Sequence, residues 1–306
     1  VLFDLLMDGE QFQFGALFDK LAQHKHEAIP LARAELARHL PESADENQKE
    51  ALAKRQTNAA VTLLKFGAPD DVWPLFKFTP DPRVRSYVTH WVGPLGVDPL
   101  SFVQRLDVEP DVTARRALVL TLGQFSEAQL PASQRQTVIG KLLEVYEHEP
   151  DAGLHAAAEW LLRKWQQGPR IEALLEQLKS DEKHLPARTD GKRQWYVNSH
   201  KMTFMLVDAR QDWFLMGAPE SDPDHILDEA PHRVHIGRRL AVAACEVTKS
   251  EFDRFRKARP HVPDMSLKAY GKTDDSPQLA PSWYEAAEYC NWLSEQEGIP
   301  KAQWCY

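Results

Sequence analysis

Pro281-Ser282-Trp283-Tyr284-Glu285-Ala286-Ala287-Glu288-Tyr289-Cys290-Asn291-Trp292-Leu293 decides the reading of this 306-residue chain. Ser282 with Glu285 three residues later is a capping box, in which each side chain satisfies a backbone N–H at a helix start. Ala286, Cys290 and Leu293 then recur at helical spacing with Trp283 and Ala287 beside them, which predicts an apolar face along that side. Gly298 and Pro300 supply the stop. A helix this short and aromatic needs a partner surface to bury its face.

Working outward, three earlier stretches have a matching character. Trp213-Phe214-Leu215-Met216-Gly217 reads as a strand ending on glycine, and Glu229-Ala230-Pro231-His232-Arg233-Val234 follows it. Glu246-Val247-Thr248 opens a second capping box with Glu251, leading a helix that turns Phe252 and Phe255 inward. Strands are expected over Gln194–Met202, Thr203–Val207, Trp213–Met216, Val234–Gly237 and Leu240–Cys245. Lys257–Ala280 is polar and proline-bearing, a long irregular connection.

The four stretches, in this order, resemble the formylglycine-generating enzyme (sulfatase-modifying factor) family. The resemblance runs from about Trp195 to Tyr306 and rests on four motifs together. It implies an α+β domain related to C-type lectins, with few regular strands and two helices near its start. The family includes copper-dependent oxidases that convert a substrate cysteine to formylglycine, iron-dependent sulfoxide synthases, and members without an assigned activity. In the oxidases the redox cysteines follow an Arg-Gly-Gly-Ser-Trp-like motif, which does not occur here. The chain stops at Tyr306, where the second half of such a domain is expected to begin, so 194–306 reads as its N-terminal half only. No catalytic or metal-binding residue is assigned, and this stretch alone is expected to be inactive. The cofactor stays open, with copper or iron implied for a full-length protein.

Ordinary structural roles account for the other conspicuous side chains. Cys290 on the helix's apolar face reads as a small buried hydrophobe, and Cys305 lies beside Trp304 and Tyr306. His232 and His235, three apart on a strand, point to opposite faces and make a poor ligand pair. Asp222, Asp224, Asp228 and Glu229 form an acidic cluster without EF-hand spacing and read as a solvated loop. Trp283, Tyr284, Tyr289 and Trp292 read as core and groove wall.

Composition sets outer bounds. The chain is 43% hydrophobic and 27% charged with a net charge of -8 and no basic stretch, which argues against a nucleic-acid partner. No apolar run reaches bilayer-spanning length. Three cysteines, Cys245, Cys290 and Cys305, form neither a disulfide framework nor a zinc motif, so a reducing, cytoplasmic setting is the default. The first residue is Val1 rather than methionine, so the true N-terminus is expected upstream.

Before residue 184 the chain reads as helix after helix. Apolar spacing marks a pair over Phe12–Leu40, with the second helix expected to start at Pro30; a polar linker over Pro41–Lys49 precedes a helix over Ala51–Lys65. A loose repeat follows: Asp81-Pro82-Arg83-Val84-Arg85, Asp111-Val112-Thr113-Ala114-Arg115 and Asp151-Ala152-Gly153-Leu154-His155 each lead a helix, with Gly93 and Gly123 at equivalent points. Intervals of about 30 and about 40 residues resemble HEAT repeats, stacked as an all-α solenoid whose concave face takes a protein or peptide partner. Asp81/Arg85 and Asp111/Arg115 are expected as ion pairs within their helices. The expected organisation is a helical region over 1–183, a linker over 184–193 and the sulfatase-modifying-factor-like domain over 194–306. Two functions fit: a relative of the oxidases acting on a sulfur group, or a non-catalytic recognition or signalling scaffold. Such architectures resemble large bacterial proteins with an upstream Ser/Thr kinase domain, although residues 1–306 hold no kinase motif.

Overall fold

The computed structural model describes residues 1–41, 43–181, 193–210, 212–218, 226–263, 271 and 273–306. The chain separates into two compact units, Val1–Ile171 and Glu172–Tyr306. The linker expected over 184–193 lies, except for Arg193, outside the described residues.

The first unit is helical: α1 Leu2–Met7, α2 Gln11–Leu21, α3 Lys25–Leu36, α4 Glu46–Lys65, α5 Arg83–Trp91, α6 Pro99–Val108, α7 Val112–Leu122, α8 Ala132–His148 and α9 Ala152–Lys164, with α10 Gly168–Asp181 crossing into the second unit. α4, α5, α7 and α9 pack in a row, each on the next, while α3 lies on α4, the 3-10 turn Trp73–Phe76 on α5 and α7, α6 on α7, and α8 on α9. The three Asp-led stretches open α5, α7 and α9, so the repeat seen in the sequence corresponds to neighbouring helices of one row. Trp73, Phe76, Phe102 and Phe125 link consecutive elements, with Trp73 edge-on to Phe102 at 5.7 Å and Phe102 at 5.7 Å from Phe125.

The repeat's glycines sit where neighbouring elements meet. A Cβ at Gly93 would lie 2.5 Å from the Gln124 carbonyl oxygen, and one at Gly123 would run into the Trp160 ring. A side chain at Gly93 would force neighbouring backbone apart, and one at Gly123 would displace the Trp160 ring that packs there. Gly153 faces the Arg116 guanidinium at similarly close range.

Three expectations are corrected here. Asp81 pairs with Arg83 (2.6 Å) rather than Arg85, whose guanidinium lies over Phe78 at 5.6 Å. Asp111 caps α7 by accepting from the Thr113 and Ala114 amides, at 2.9 and 3.0 Å, and Arg115 reaches Glu149 instead. The unsatisfied amides of the first turn outcompete a side-chain partner one turn on. Asp151 both caps α9 through the Leu154 amide (2.7 Å) and accepts from Arg116 of α7 (3.0 Å), so the charge pairing runs between helices. Second, Pro30 lies inside α3 rather than at its start. Pro30 and His26 are both exposed, so water meets the carbonyl for which Pro30 has no donor. Third, α4 begins at Glu46, five residues before the expected start, because Asp45 and Gln48 form a capping box (2.8 and 3.1 Å).

The second unit holds two antiparallel sheets: β1 Trp195–Val197, β2 Thr203–Asp208 and β5 Arg239–Ala243 in the order β1-β2-β5, and β3 Trp213–Met216 paired with β4 His232–His235. Two helices follow, α11 Lys249–Ala258 and α12 Trp283–Gln296. Their shared core is Met202, Phe252, Phe255, Val262, Tyr289, Trp292 and Leu293, with Phe204 and Val247 against it. Lys201, in the β1–β2 turn, pairs with Glu176 (2.5 Å) and Glu172 (3.6 Å) and so ties the end of α10 into this unit. Among the described residues no helix is long and apolar enough to cross a membrane.

Candidate functional site

Each motif that singled out this region has a local structural cause. β3 ends on Gly217 at φ +110, and a Cβ there would lie 2.5 Å from the Glu229 carbonyl oxygen. That oxygen accepts from the Ala218 amide at 2.9 Å, which locks the strand end to the start of the Glu229–Val234 segment. Only glycine combines this φ with this approach. β4 then pairs back on β3, placing His235 opposite Trp213 and His232 opposite Met216.

Thr248 opens α11 as its spacing foretold: the Glu251 amide donates to Thr248 Oγ1 (3.3 Å) and the Thr248 amide to Glu251 Oε2 (2.7 Å). The next two donors are met from farther along the chain. Lys249 N–H donates to the Ser276 carbonyl (2.8 Å) and Ser250 N–H to that of Asp274 (3.0 Å). All four first-turn donors are therefore satisfied within the protein. The connection expected as irregular over Lys257–Ala280 thus has an ordered return leg, continued by the Thr248–Pro277 bridge; residues 264–270 and 272 lie outside the described residues.

Ser282 opens α12 through the same device, with Ser282 N–H to Glu285 Oε2 at 2.7 Å and Glu285 N–H to Ser282 Oγ at 3.3 Å. Hydrogen bonds from the Ser282 amide, then from its side chain, lower the pKa of the Glu285 carboxyl. The inward face differs from the one expected. Tyr289, Trp292, Leu293 and Ala287 are buried, Ala286 and Cys290 are half-buried, and Trp283 is 64% exposed. The helix is rotated toward α11 because the Phe252 and Phe255 rings recruit aromatic partners: Phe255 lies 5.5 Å from Tyr289, edge-on, and 5.7 Å from Trp292. Tyr289 donates to Met202 Sδ at 3.4 Å, and burial pushes its phenol well above the ordinary range.

His200 carries no motif of its own. Its turn is shaped by Asn198 Oδ1, which accepts from the His200 and Met202 amides at 3.0 and 2.9 Å. The turn is docked on both helices, through Arg254 to the His200 carbonyl (3.2 Å) and Ser199 to Glu297 (3.0 Å to the amide). The His200 ring lies 4.9 Å from the Trp292 ring, and burial first, then the Arg254 charge, lower its pKa. The only signal available was an Asn-x-His in a strand-to-strand turn, too common to single out.

The remaining candidates are not brought together. His232 Nδ1 lies 2.9 Å from the Ala230 carbonyl oxygen, while His235 Nε2 lies 3.0 Å from that of Arg210 and its ring stacks on Trp213 at 5.0 Å. Asp228 and Glu229 are exposed, and Asp222 and Asp224 lie outside the described residues. Of the four aromatics expected as core and groove wall, Tyr289 and Trp292 are core, whereas Trp283 and Tyr284 stay exposed and edge-on to each other at 5.3 Å. Cys245 is exposed. Among the described residues no group of three or more His, Cys, Asp or Glu could hold a metal ion. What the region does present is apolar surface. Trp213, Phe214, Leu215 and Met216 are 41–67% exposed on β3, and Trp283, Tyr284 and Tyr306 are exposed beyond the start of α12.

Comparison with curated proteins and with solved structures returns no match. Comparison with family models matches residues 208–306 to the sulfatase-modifying factor enzyme 1-like domain. Asp208 closes β2, so β1 and most of β2 precede the match, while all four motif stretches fall inside it. Over residues 208–306, about a third of the chain, the sequence is similar to the sulfatase-modifying factor enzyme 1-like domain.

Proposed function

We propose that this protein joins a HEAT-like helical scaffold, which holds a protein or peptide partner, to a lectin-like sulfatase-modifying-factor domain that acts on a sulfur-bearing side chain of that partner. One observation carries the reading: the four family motifs occur in order within the matched stretch, and each forms the local structure its residues require. The row α4–α5–α7–α9, with glycines at its close approaches, supports the scaffold half. Oxidation of cysteine is the chemistry that the family resemblance implies. Among the described residues no group of three or more His, Cys, Asp or Glu is placed to hold a metal, and no step of that chemistry is assigned to them.

A second reading, a recognition scaffold without chemistry, is favoured by the same motifs. Ser282, Glu285, Thr248, Glu251, Gly217, Phe252 and Phe255 are all engaged in caps, a tight turn and the core.

The two readings separate in one experiment. The full-length protein is incubated with copper, oxygen and a cysteine-containing peptide library, and products are trapped with a hydrazide for mass analysis. Oxygen-dependent aldehyde on cysteine supports the first reading. Peptides that are retained by the protein but chemically unchanged overturn it in favour of the second.

A further inference from the structure

The turn between β1 and β2, Asn198–Met202, is held in place against its own preferences. Lys201 sits at φ +68, a left-handed conformation that costs energy for any residue with a Cβ. It is kept there by the Lys201 amide donating to the Asn198 carbonyl (3.0 Å) and the Asn198 amide donating to the Met202 carbonyl (2.9 Å). Two buried polar atoms of the same turn, Asn198 Nδ2 and His200 Nε2, have no hydrogen-bond partner among the described residues. Each has left water without compensation, which weakens the docked turn. Docking therefore rests on the other contacts: the His200 ring against Trp292, Arg254 on the His200 carbonyl, and the Ser199 amide on Glu297. Lys201 adds its pairing with Glu176 and Glu172 of α10.

This arrangement tolerates only the neutral ring. A neutral imidazole can carry its hydrogen on Nδ1 and leave Nε2 as a bare lone pair. The charged ring carries a hydrogen on both nitrogens, and the one on Nε2 would point into a site that offers no acceptor among the described residues. Burial opposes the charged ring first of all. Of the charges around it, Arg254 of α11 and Lys179 of α10 oppose it too, while Glu297 beyond α12 and Glu251 of α11 favour it.

We propose that His200 is a proton-operated latch, whose charging in mild acid opens the Asn198–Met202 turn, frees it from α11 and α12, and bares Met202 and the Trp292 ring to water. Both side chains are buried in the docked form. Opening lets the Nε2 hydrogen reach water and lets Lys201 leave its left-handed conformation, so the open form gains where the docked form is strained. The β2–β5 ladder does not pass through the turn and stays closed. The docked turn is fully stable above the ordinary histidine value of 6.5 and loses stability as pH falls below it, because the open form takes up the proton more readily.

The test is hydrogen–deuterium exchange of the full chain from about pH 7.5 to about pH 4, with labelling times scaled to the chemical exchange rate at each pH. Between about pH 7.5 and about pH 5, protection of the His200, Lys201 and Met202 amides should fall roughly tenfold, with a ceiling of about 30-fold for an open-form value of 6.5. Residues 204–208 and 239–243 of the β2–β5 ladder should keep their protection. In His200→Gln the turn should show no such fall. Any of four results overturns the proposal: unchanged protection of the turn, an equal fall in the β2–β5 ladder, a fall that persists in His200→Gln, or a fall that begins only below 4.5, the ordinary value of a glutamate. The ladder comparison and the pH at which the fall begins are read in the wild type, so the result does not depend on how His200→Gln folds.

Discussion

His200 shows how one side chain converts packing into a pH response. Its ring lies 4.9 Å from that of Trp292, and burial first, then the Arg254 charge, favours the neutral form. The unfolded chain, with an ordinary value of 6.5, binds the proton more readily. Its contribution to stability is therefore complete above that value and is lost as pH falls toward the lowered folded one. The wild type should lose more melting temperature than His200→Gln between about pH 7.5 and about pH 5. An identical drop in the two proteins rules this out. Gly217 is the other residue whose identity is dictated. Gly217→Ala adds a Cβ 2.5 Å from a carbonyl oxygen at φ +110, and should cost about 2 kcal/mol in urea unfolding. A cost within a few tenths of that of a surface substitution would show that the strand end relaxes freely.

At the scale of elements, α11 and α12 are begun by caps and held by aromatic packing, and the two contributions differ in size. Ser282→Ala should lose about 1 kcal/mol. Phe255→Ala, which empties the centre of the cluster around Tyr289 and Trp292, should lose roughly 3–5 kcal/mol. Trp283→Ala should lie nearer the cap than the core, because the ring is 64% exposed. Equal losses for Phe255 and Trp283 would restore the helix face expected from spacing alone. The difference marks what the sequence could convey. Caps are local, so Ser282/Glu285 and Thr248/Glu251 were legible from residues three apart, as were the cores of all five strands. The rotation of α12 was not, since it follows from where Phe252 and Phe255 stand in three dimensions. The Asp81 and Asp111 partners failed for the converse reason: nearby amides competed for carboxylates that i,i+4 spacing had assigned to arginines. His200 was invisible because its meaning comes wholly from Trp292 and Arg254, 92 and 54 positions away.

For the molecule as a whole, cohesion of the helical unit depends on contacts between successive members of its row. Gly123 admits the Trp160 ring, and Arg116 of α7 reaches Asp151 at the start of α9. Gly93→Val, which meets the Gln124 backbone, should loosen the contact between the ends of α5 and α7, so that urea unfolding of the helical unit broadens and its slope falls. A parallel shift of the midpoint with unchanged slope would mean that the row still unfolds as one. In the second unit the family match begins at Asp208, yet β2 starts at Thr203 and is bonded to β1 on one side and β5 on the other. A protein cut to the matched residues would lose β1 and all of β2 but Asp208, and with β2 the pairing partner of β5, leaving that side of β5 open as a second edge. Such an edge recruits other copies, so a polypeptide begun at Asp208 should precipitate where one begun at Arg193 stays dispersed. The sheet, rather than the span of the family match, marks where this domain can be cut.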